Sequence, residues 1–269
     1  MAAGRLAIEM DPKVPCPSVS LRGTQGNGVQ FTKTPTAKGP QGSLGRFGLP
    51  VDCKRILIVG AGGFGREVLQ WAFDAWPDLP TRGIGFLSDD LQRLQGFTTA
   101  AAIVGPVQGH RPECGDYYVL GVGVAYVRRT IAESLRSQGA DFATLVHPRA
   151  VVASSAIVGE GSIVCPGAVV SDASRLGACV LVNYHASLGH DASAGDYAVL
   201  SPYATLGGNA SIADDVFLGL HASVGPGRRV GARSKVSANS CVLSDTPADS
   251  IIYGVPGRVV PRIEVIAQR

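Results

Sequence analysis

Cut every six residues, 146–247 read VHPRAV VASSAI VGEGSI VCPGAV VSDASR LGACVL VNYHAS LGHDAS AGDYAV LSPYAT LGGNAS IADDVF LGLHAS VGPGRR VGARSK VSANSC VLSDTP. The seventeen hexads follow one another without an insertion. Their first position is Val, Leu or Ile in sixteen, with Ala194 the exception, and the fifth is Ala, Ser or Thr in fourteen. Glycine recurs at the second position. An α-helix would scramble this register, because six residues are not a whole number of 3.6-residue turns. A strand-and-corner unit repeated as a solenoid preserves it, with one apolar residue inward and small residues at the corners. The all-β unit is expected over 146–262, followed by a short tail at 263–269.

Upstream of the repeat the pattern is α/β. Arg55–Val59 (RILIV) is a continuous apolar run of the kind found in strands buried on both sides. It enters Gly60-Ala61-Gly62-Gly63-Phe64-Gly65, after which 66–76 show helical spacing through Val68, Leu69, Ala72 and Phe73. A strand at Gly83–Leu87 ends in Ser88-Asp89-Asp90. Further strands are expected at 117–122 and 142–146, with an amphipathic helix at 126–138 between them. Strands alternating with helices imply a parallel sheet, so 54–145 read as a Rossmann-like domain.

Residues 1–53 alternate Gly, Pro, Ser, Thr and Lys without periodicity and read as a disordered extension. They hold six basic residues against three acidic ones, which accounts for the whole net charge of +3. The remainder is neutral and has no basic stripe, which argues against nucleic-acid binding. Met1 and Met10 are the only methionines, so a start of translation nearer Val51 is one reading of this extension. The six cysteines are irregularly spaced and form no CxxC pair, which suggests reduced thiols and neither a zinc ribbon nor a disulfide framework. Without an apolar run of about twenty residues or a signal core, a soluble cytoplasmic protein is expected.

The hexads resemble those of the bacterial hexapeptide-repeat acyltransferases, whose domain is a left-handed parallel β-helix with three hexads per coil. Within that superfamily 54–262 is similar to the sialic acid O-acetyltransferase and nucleotide-amino-sugar N-acetyltransferase group. The matching pieces are ILIVGAGGFGRE, GFLSDD, GVGVAYVRRTIAESL, LVHPRAVV, VNYHASLGHD and YGVPGRVV. The resemblance implies between five and six coils and a homotrimer. It also implies acetyl-CoA as co-substrate, no metal, and transfer to a nucleotide-linked amino sugar for surface glycan synthesis.

The resemblance makes His190, in Leu188-Gly189-His190-Asp191, the general base, a role suited to a side chain that titrates near neutral pH. Residues 18 apart then stack on neighbouring coils at roughly the 4.8 Å sheet spacing. Asp172, 18 before His190, and Asp191, directly after it, are both candidates for the acid that orients the imidazole. Gly208, 18 after His190, is the candidate oxyanion donor. Coenzyme A carries phosphates, and Arg228, Arg229, Arg233 and Lys235 cluster in the late coils. Gly254-Val255-Pro256-Gly257-Arg258 resembles the family's G-x-P-A-[KR] exit, with Gly257 where Ala is usual. The CoA set is therefore Gly208, Arg229, Lys235 and Arg258.

Gly60, Gly62 and Gly65 satisfy G-x-G-x-x-G between a strand and a helix, where bare amides can hold a diphosphate. With Gly63 they form the expected nucleotide-sugar loop, and Asp89 or Asp90 would meet the base or ribose. An NAD site is the competing reading, but the domain lacks a second mononucleotide-binding half. His147 is expected to be structural, and His185 and His221, 36 apart, to pack on one face. His185 and His190 share the H-x4-H spacing of γ-class carbonic anhydrase zinc ligands, yet Arg149 occupies the third ligand position. A sugar or sialic acid O-acetyltransferase is the remaining alternative.

Overall fold

The structure, a computed structural model, describes residues 46–262. Residues 1–45 of the expected extension, and the tail 263–269, lie outside the described residues. Residues 46–53 do not behave as disordered chain. The Trp76 indole donates to Phe47 O at 3.0 Å, Arg82 donates to Pro50 O at 3.2 Å, and Cys53 is buried with Leu49 packed nearby. The apolar contacts of Leu49 and Cys53 offset the ordering entropy that composition alone predicted would win.

The first unit is a parallel sheet formed by β1 (Arg55–Val59), β2 (Gly83–Leu87), β3 (Ile103–Gly105), β4 (Asp116–Leu120) and β5 (Asp141–Phe142), in the order β3-β2-β1-β4-β5. It is flanked by α1 (Gly63–Ala75) and α2 (Ala125–Arg136). Helix α1 begins inside the glycine motif, three residues ahead of the expected start. Strand β3 was not expected; it is a three-residue edge strand at the end of the short run Ala100–Val104, mostly alanine. The strand expected at 142–146 is two strands in two sheets. Ala143 N donates to Tyr118 O at 3.0 Å, whereas Leu145 N donates to Ser162 O at 2.9 Å, so the chain leaves one sheet for the other within two residues.

From β6 (Leu145–Val146) to Cys241–Val242, two-residue strands recur every six residues and pair in parallel with residues 18 away. They form three sheets around one aliphatic core that includes Val164, Val182, Leu188, Leu200, Leu206 and Leu218. Face I holds the strands at 145, 163, 181, 199, 217 and 235 and ends with Ser250–Tyr253 and Arg258–Pro261. Face II holds those at 151, 169, 187, 205, 223 and 241, and face III those at 157, 175, 193, 211 and 229. Corner 1 joins faces I and II, corner 2 joins II and III, and corner 3 joins III and I.

From Gly161 to Asn239 each corner turns through one left-handed residue, at the fourth hexad position. Cys179, His185, Asp191, Tyr197, Tyr203 and Asn209 lie between φ 55° and 63°. Non-glycine residues adopt this conformation at a cost of roughly 1–2 kcal/mol each, least for Asn and Asp. Face I is where the first unit packs. Its outward-facing Leu145, Ile163, Leu181 and Val199 are buried in one cluster with Ile58, Val68, Leu69 and Trp71. On faces II and III the equivalent outward positions are mostly polar, as at Ser187, Thr205, Ser223, Arg175, Ser193 and Arg229. Replacing Leu181 with Ala is expected to cost about 2–5 kcal/mol of unfolding free energy. The matched face II change Ser187→Ala is expected to stay within about 0.5 kcal/mol. Denaturant melts showing equal costs would contradict this assignment of the covered face.

Candidate active site

Corner 2 carries the sequence GHDA at 189–192. Ala192 faces the core with no exposure, which leaves His190 and Asp191 projecting outward, 65% and 54% exposed. His190 Nδ1 lies 2.9 Å from Asp191 Oδ2. In the neutral ring Nδ1 carries the proton and donates it to the carboxylate, so Nε2 keeps its lone pair. Of the two acids left open by the sequence, Asp191 contacts the imidazole. The Asp172 carboxylate accepts a hydrogen bond from Ser155 Oγ, and its main-chain carbonyl accepts Asp191 N–H at 2.9 Å. Among the described residues no hydrogen bond joins Asp172 to His190.

Gly208 sits on the next coil against the imidazole. A methyl group placed on it would come 2.5 Å from His190 Nε2 and 2.7 Å from Cε1. The position therefore keeps a gap beside Nε2 that any side chain would close. Gly208 O accepts Gly227 N–H at 2.9 Å, while no acceptor for Gly208 N–H occurs among the described residues. The Nε2 edge of His190 and the main chain of Gly208 are thus neighbours on successive coils, a pairing from which a general base and an oxyanion donor could be built.

The glycine loop is built from equally tight contacts. Gly60 turns at φ 102°, and its N–H donates to Leu87 O at 2.8 Å. A methyl on Gly65 would fall 1.9 Å from Gly60 O, so only glycine lets α1 start so close to β1. Gly62 caps α1 without a side-chain bond, and Gly63 faces open space, leaving the first amides of α1 bare. Two cations missed in the sequence stand here. Arg93 Nη2 reaches 3.9 Å from the methyl position of Gly62, and the Arg66 guanidinium lies 3.7 Å above the Phe97 ring. Arg66 directly follows the motif in sequence, whereas Arg93, 28 residues past Gly65, carried no signal. Asp89 Oδ1 accepts Val107 N–H and Gln108 N–H, both at 2.9 Å, and Asp90 Oδ1 accepts Gln92 N–H at 3.1 Å. Both acids therefore shape the rim of this loop.

The proposed CoA cations do not form one cluster. Arg229 faces outward on face III, which borders corner 2, and Arg228 lies at corner 2 itself. Lys235 and Arg258 belong instead to the end of face I. His147 is buried. Its Nδ1 accepts Arg149 N–H at 3.0 Å, so its Nε2–H donates to Asp74 Oδ2 at 3.1 Å, a structural link between α1 and corner 1. His185 and His221 sandwich Tyr203 on corner 1, with ring centroids 5.0 and 4.8 Å apart. No group of three or more His, Cys, Asp or Glu side chains placed to hold a metal ion occurs among the described residues. No helix among them is long and apolar enough to cross a membrane.

No family model matches the chain. It is 34% identical over 114 residues to the UDP-N-acetylbacillosamine N-acetyltransferase of Bacillus subtilis (strain 168), a match that covers 41% of this chain and spans half the length of that curated relative. The acetyltransferase domain of PglB from Neisseria gonorrhoeae FA1090, solved in complex with acetyl coenzyme A, superposes with a TM-score of 0.68 at 31% identity, covering 77% of this chain and all of that domain. PerB from Caulobacter crescentus, solved with CoA and GDP-perosamine, gives a TM-score of 0.66 at 26% identity over 76% of this chain and 96% of PerB. With its uninterrupted hexads, its glycine loop and its GHD corner, the chain belongs to the hexapeptide-repeat acyltransferases of the nucleotide-amino-sugar N-acetyltransferase group.

Proposed function

We propose that this chain is an acetyl-CoA-dependent N-acetyltransferase whose acceptor is a nucleotide-linked 4-amino sugar, with His190 as general base. The observation that carries the reading is the Asp191–His190 pair with Nε2 facing the gap over Gly208. The sugar amine attacks the thioester carbonyl and forms the amide C–N bond. Nε2 takes the amine proton as the carbonyl oxygen gathers charge at Gly208 N–H. The C–S bond then breaks, and the proton leaves with the CoA thiolate. In this reading Arg228 and Arg229, beside corner 2, are the first cations available to the CoA phosphates, with Lys235 and Arg258 further off on face I. Binding of CoA and GDP-perosamine by PerB supports both substrates.

The amino-terminal unit reads as Rossmann-like, since its strand order matches that of nucleotide-binding sheets, and the solenoid as the relatives' left-handed β-helix. The first unit covers face I, whereas His190 stands on corner 2, between the other two faces. One chain therefore carries its glycine loop and its base on different sides of the prism, which supports a homotrimer whose grooves join the loop of one protomer to the base of another. Face II suits the contact. Its outward residues are Val151, Val169, Ser187, Thr205, Ser223 and Cys241, none of them charged.

The direct test is release of CoA thiol from acetyl-CoA, with UDP-, dTDP- and GDP-4-amino sugars and free sialic acid as acceptors. Release with one amino sugar is expected, falling by about 10²-fold or more in His190→Ala. Turnover of sialic acid alone would replace the N-acetyltransferase with an O-acetyltransferase, and silence across the panel would reject both acceptor classes or acetyl-CoA as donor. Asp191→Asn should lower kcat far more than Asp172→Asn, because only Asp191 touches the ring. The reverse order would reassign the orienting acid. Gly208→Ala should abolish turnover while the protein stays folded, since its methyl lands on Nε2. An active Gly208→Ala would remove Gly208 from the mechanism.

A further inference from the structure

Arg128 has an environment that its helix does not explain. It is fully buried in the first turn of α2, at the end where the helix dipole disfavours a cation. No carboxylate pairs with it among the described residues. All its partners are main-chain carbonyls: Nη1 donates to Leu120 O at 2.9 Å and Val122 O at 2.8 Å, while Nε and Nη2 both donate to Cys179 O, at 3.2 and 2.9 Å. Burial pulls its pKa down to about 10, so the group stays charged at neutral pH. A buried cation without an anion is costly, and hydrophobic residues of similar volume often serve stability better. Its retention calls for something a hydrophobic residue cannot supply.

The carbonyls it joins supply the reason. Leu120 ends β4, and Cys179 turns corner 3 of the solenoid at φ 55°. The 120–124 segment leaves β4 where the strand order reverses beside β1, the place where open α/β sheets bind ligands. It touches the glycine loop directly, because a methyl on Gly121 would fall 2.9 Å from both Gly60 O and Gly65 Cα. The glycine loop and the 120–124 segment are therefore the two walls of one crevice. The planar guanidinium reaches three carbonyls from one side chain, which a lysine ammonium cannot do in this geometry.

We propose that Arg128 is a positioning residue that pins the 120–124 wall of the nucleotide crevice onto corner 3 of the solenoid. This rests on the nucleotide-sugar reading above and adds to it a residue that touches neither substrate. The two neighbouring arginines of α2 reinforce the attachment without reaching the crevice. Arg129 donates to the Asp215 carboxylate at 2.8 and 2.9 Å, and Arg136 to Tyr197 Oη at 2.8 Å, both on corner 3. Arg128 alone among the three joins the corner to the crevice wall.

The test compares the full chain with Arg128→Lys and Arg128→Met in two measurements. Calorimetric titration with UDP, GDP and dTDP reads the crevice, and deuterium uptake by peptides spanning 117–124 and 176–182 reads the attachment. Whichever nucleotide the unaltered protein binds, Arg128→Lys is expected to bind about tenfold more weakly or worse. Uptake at 117–124 should rise while peptides from the solenoid core stay protected. If Arg128→Met fails to fold, the lysine variant alone decides. Unchanged uptake at 117–124 would overturn the positioning role, as would unchanged affinity in a folded variant. If the unaltered protein binds none of the three nucleotides, the nucleotide-sugar reading falls, and the uptake measurement still judges whether Arg128 holds the segment.

Discussion

A coil of eighteen residues that keeps an aliphatic side chain inward on every strand must turn three corners, and from Gly161 to Asn239 every corner does so through one residue at positive φ. The other features of the solenoid follow from this. The parallel pairing of residues 18 apart depends on every coil having the same length, so a single insertion would move inward residues outward on every later coil. The small fifth-position residues, such as Ala186, Ala192 and Ala204, are fully buried because the inside of a corner has no room for more. The left-handed fourth position then fixes which residues point out of the corner, and it aims them in a column along the prism. His190, Gly208 and Pro226 belong to one such column, and His185, Tyr203 and His221 to another.

A prism with three faces cannot treat them alike once a second unit is attached. Face I gives its outward residues to the α/β unit, through Leu145, Ile163, Leu181 and Val199. Helix α2 fastens the adjoining corner 3 through Arg129 and Asp215 and through Arg136 and Tyr197, and α1 fastens corner 1 through Asp74 and His147. Corner 2 has no such link to either helix among the described residues and carries the exposed His190, while the later coils of corner 1 leave His185 and His221 exposed as well.

The hexad register was legible because an inward residue every six positions is written directly in side-chain chemistry. β1, β2 and the glycine motif were legible for the same reason, as apolar runs ending in turn residues. β3 was not, since a three-residue edge strand with a half-exposed Ile103 and an exposed Val104 carries no period. The covered face was also written in the sequence, at every third sixth-position residue: Leu145, Ile163, Leu181, Val199 and Phe217 are apolar where their counterparts are mostly not. It is visible only after the coil length is fixed, because the signal has a period of 18. Which acid contacts His190 was not legible in the spacing. Spacing places Asp172 beside the histidine column, but Ser155 captures its carboxylate while Asp191 folds back onto Nδ1.

Asp191, His185 and His221 all occupy the left-handed fourth position, with φ of 58°, 59° and 55°. Asp, Asn and His are enriched in that conformation for local reasons. Their presence there is weak evidence of catalysis, and His185 and His221 are in fact spent on a ring stack. His190 lies at the third position, where no backbone preference selects it. It faces the one neighbour whose missing side chain leaves Nε2 accessible. What sets His190 apart is therefore Gly208, because a gap beside a nitrogen lone pair and an unused N–H have no role in holding the coil together.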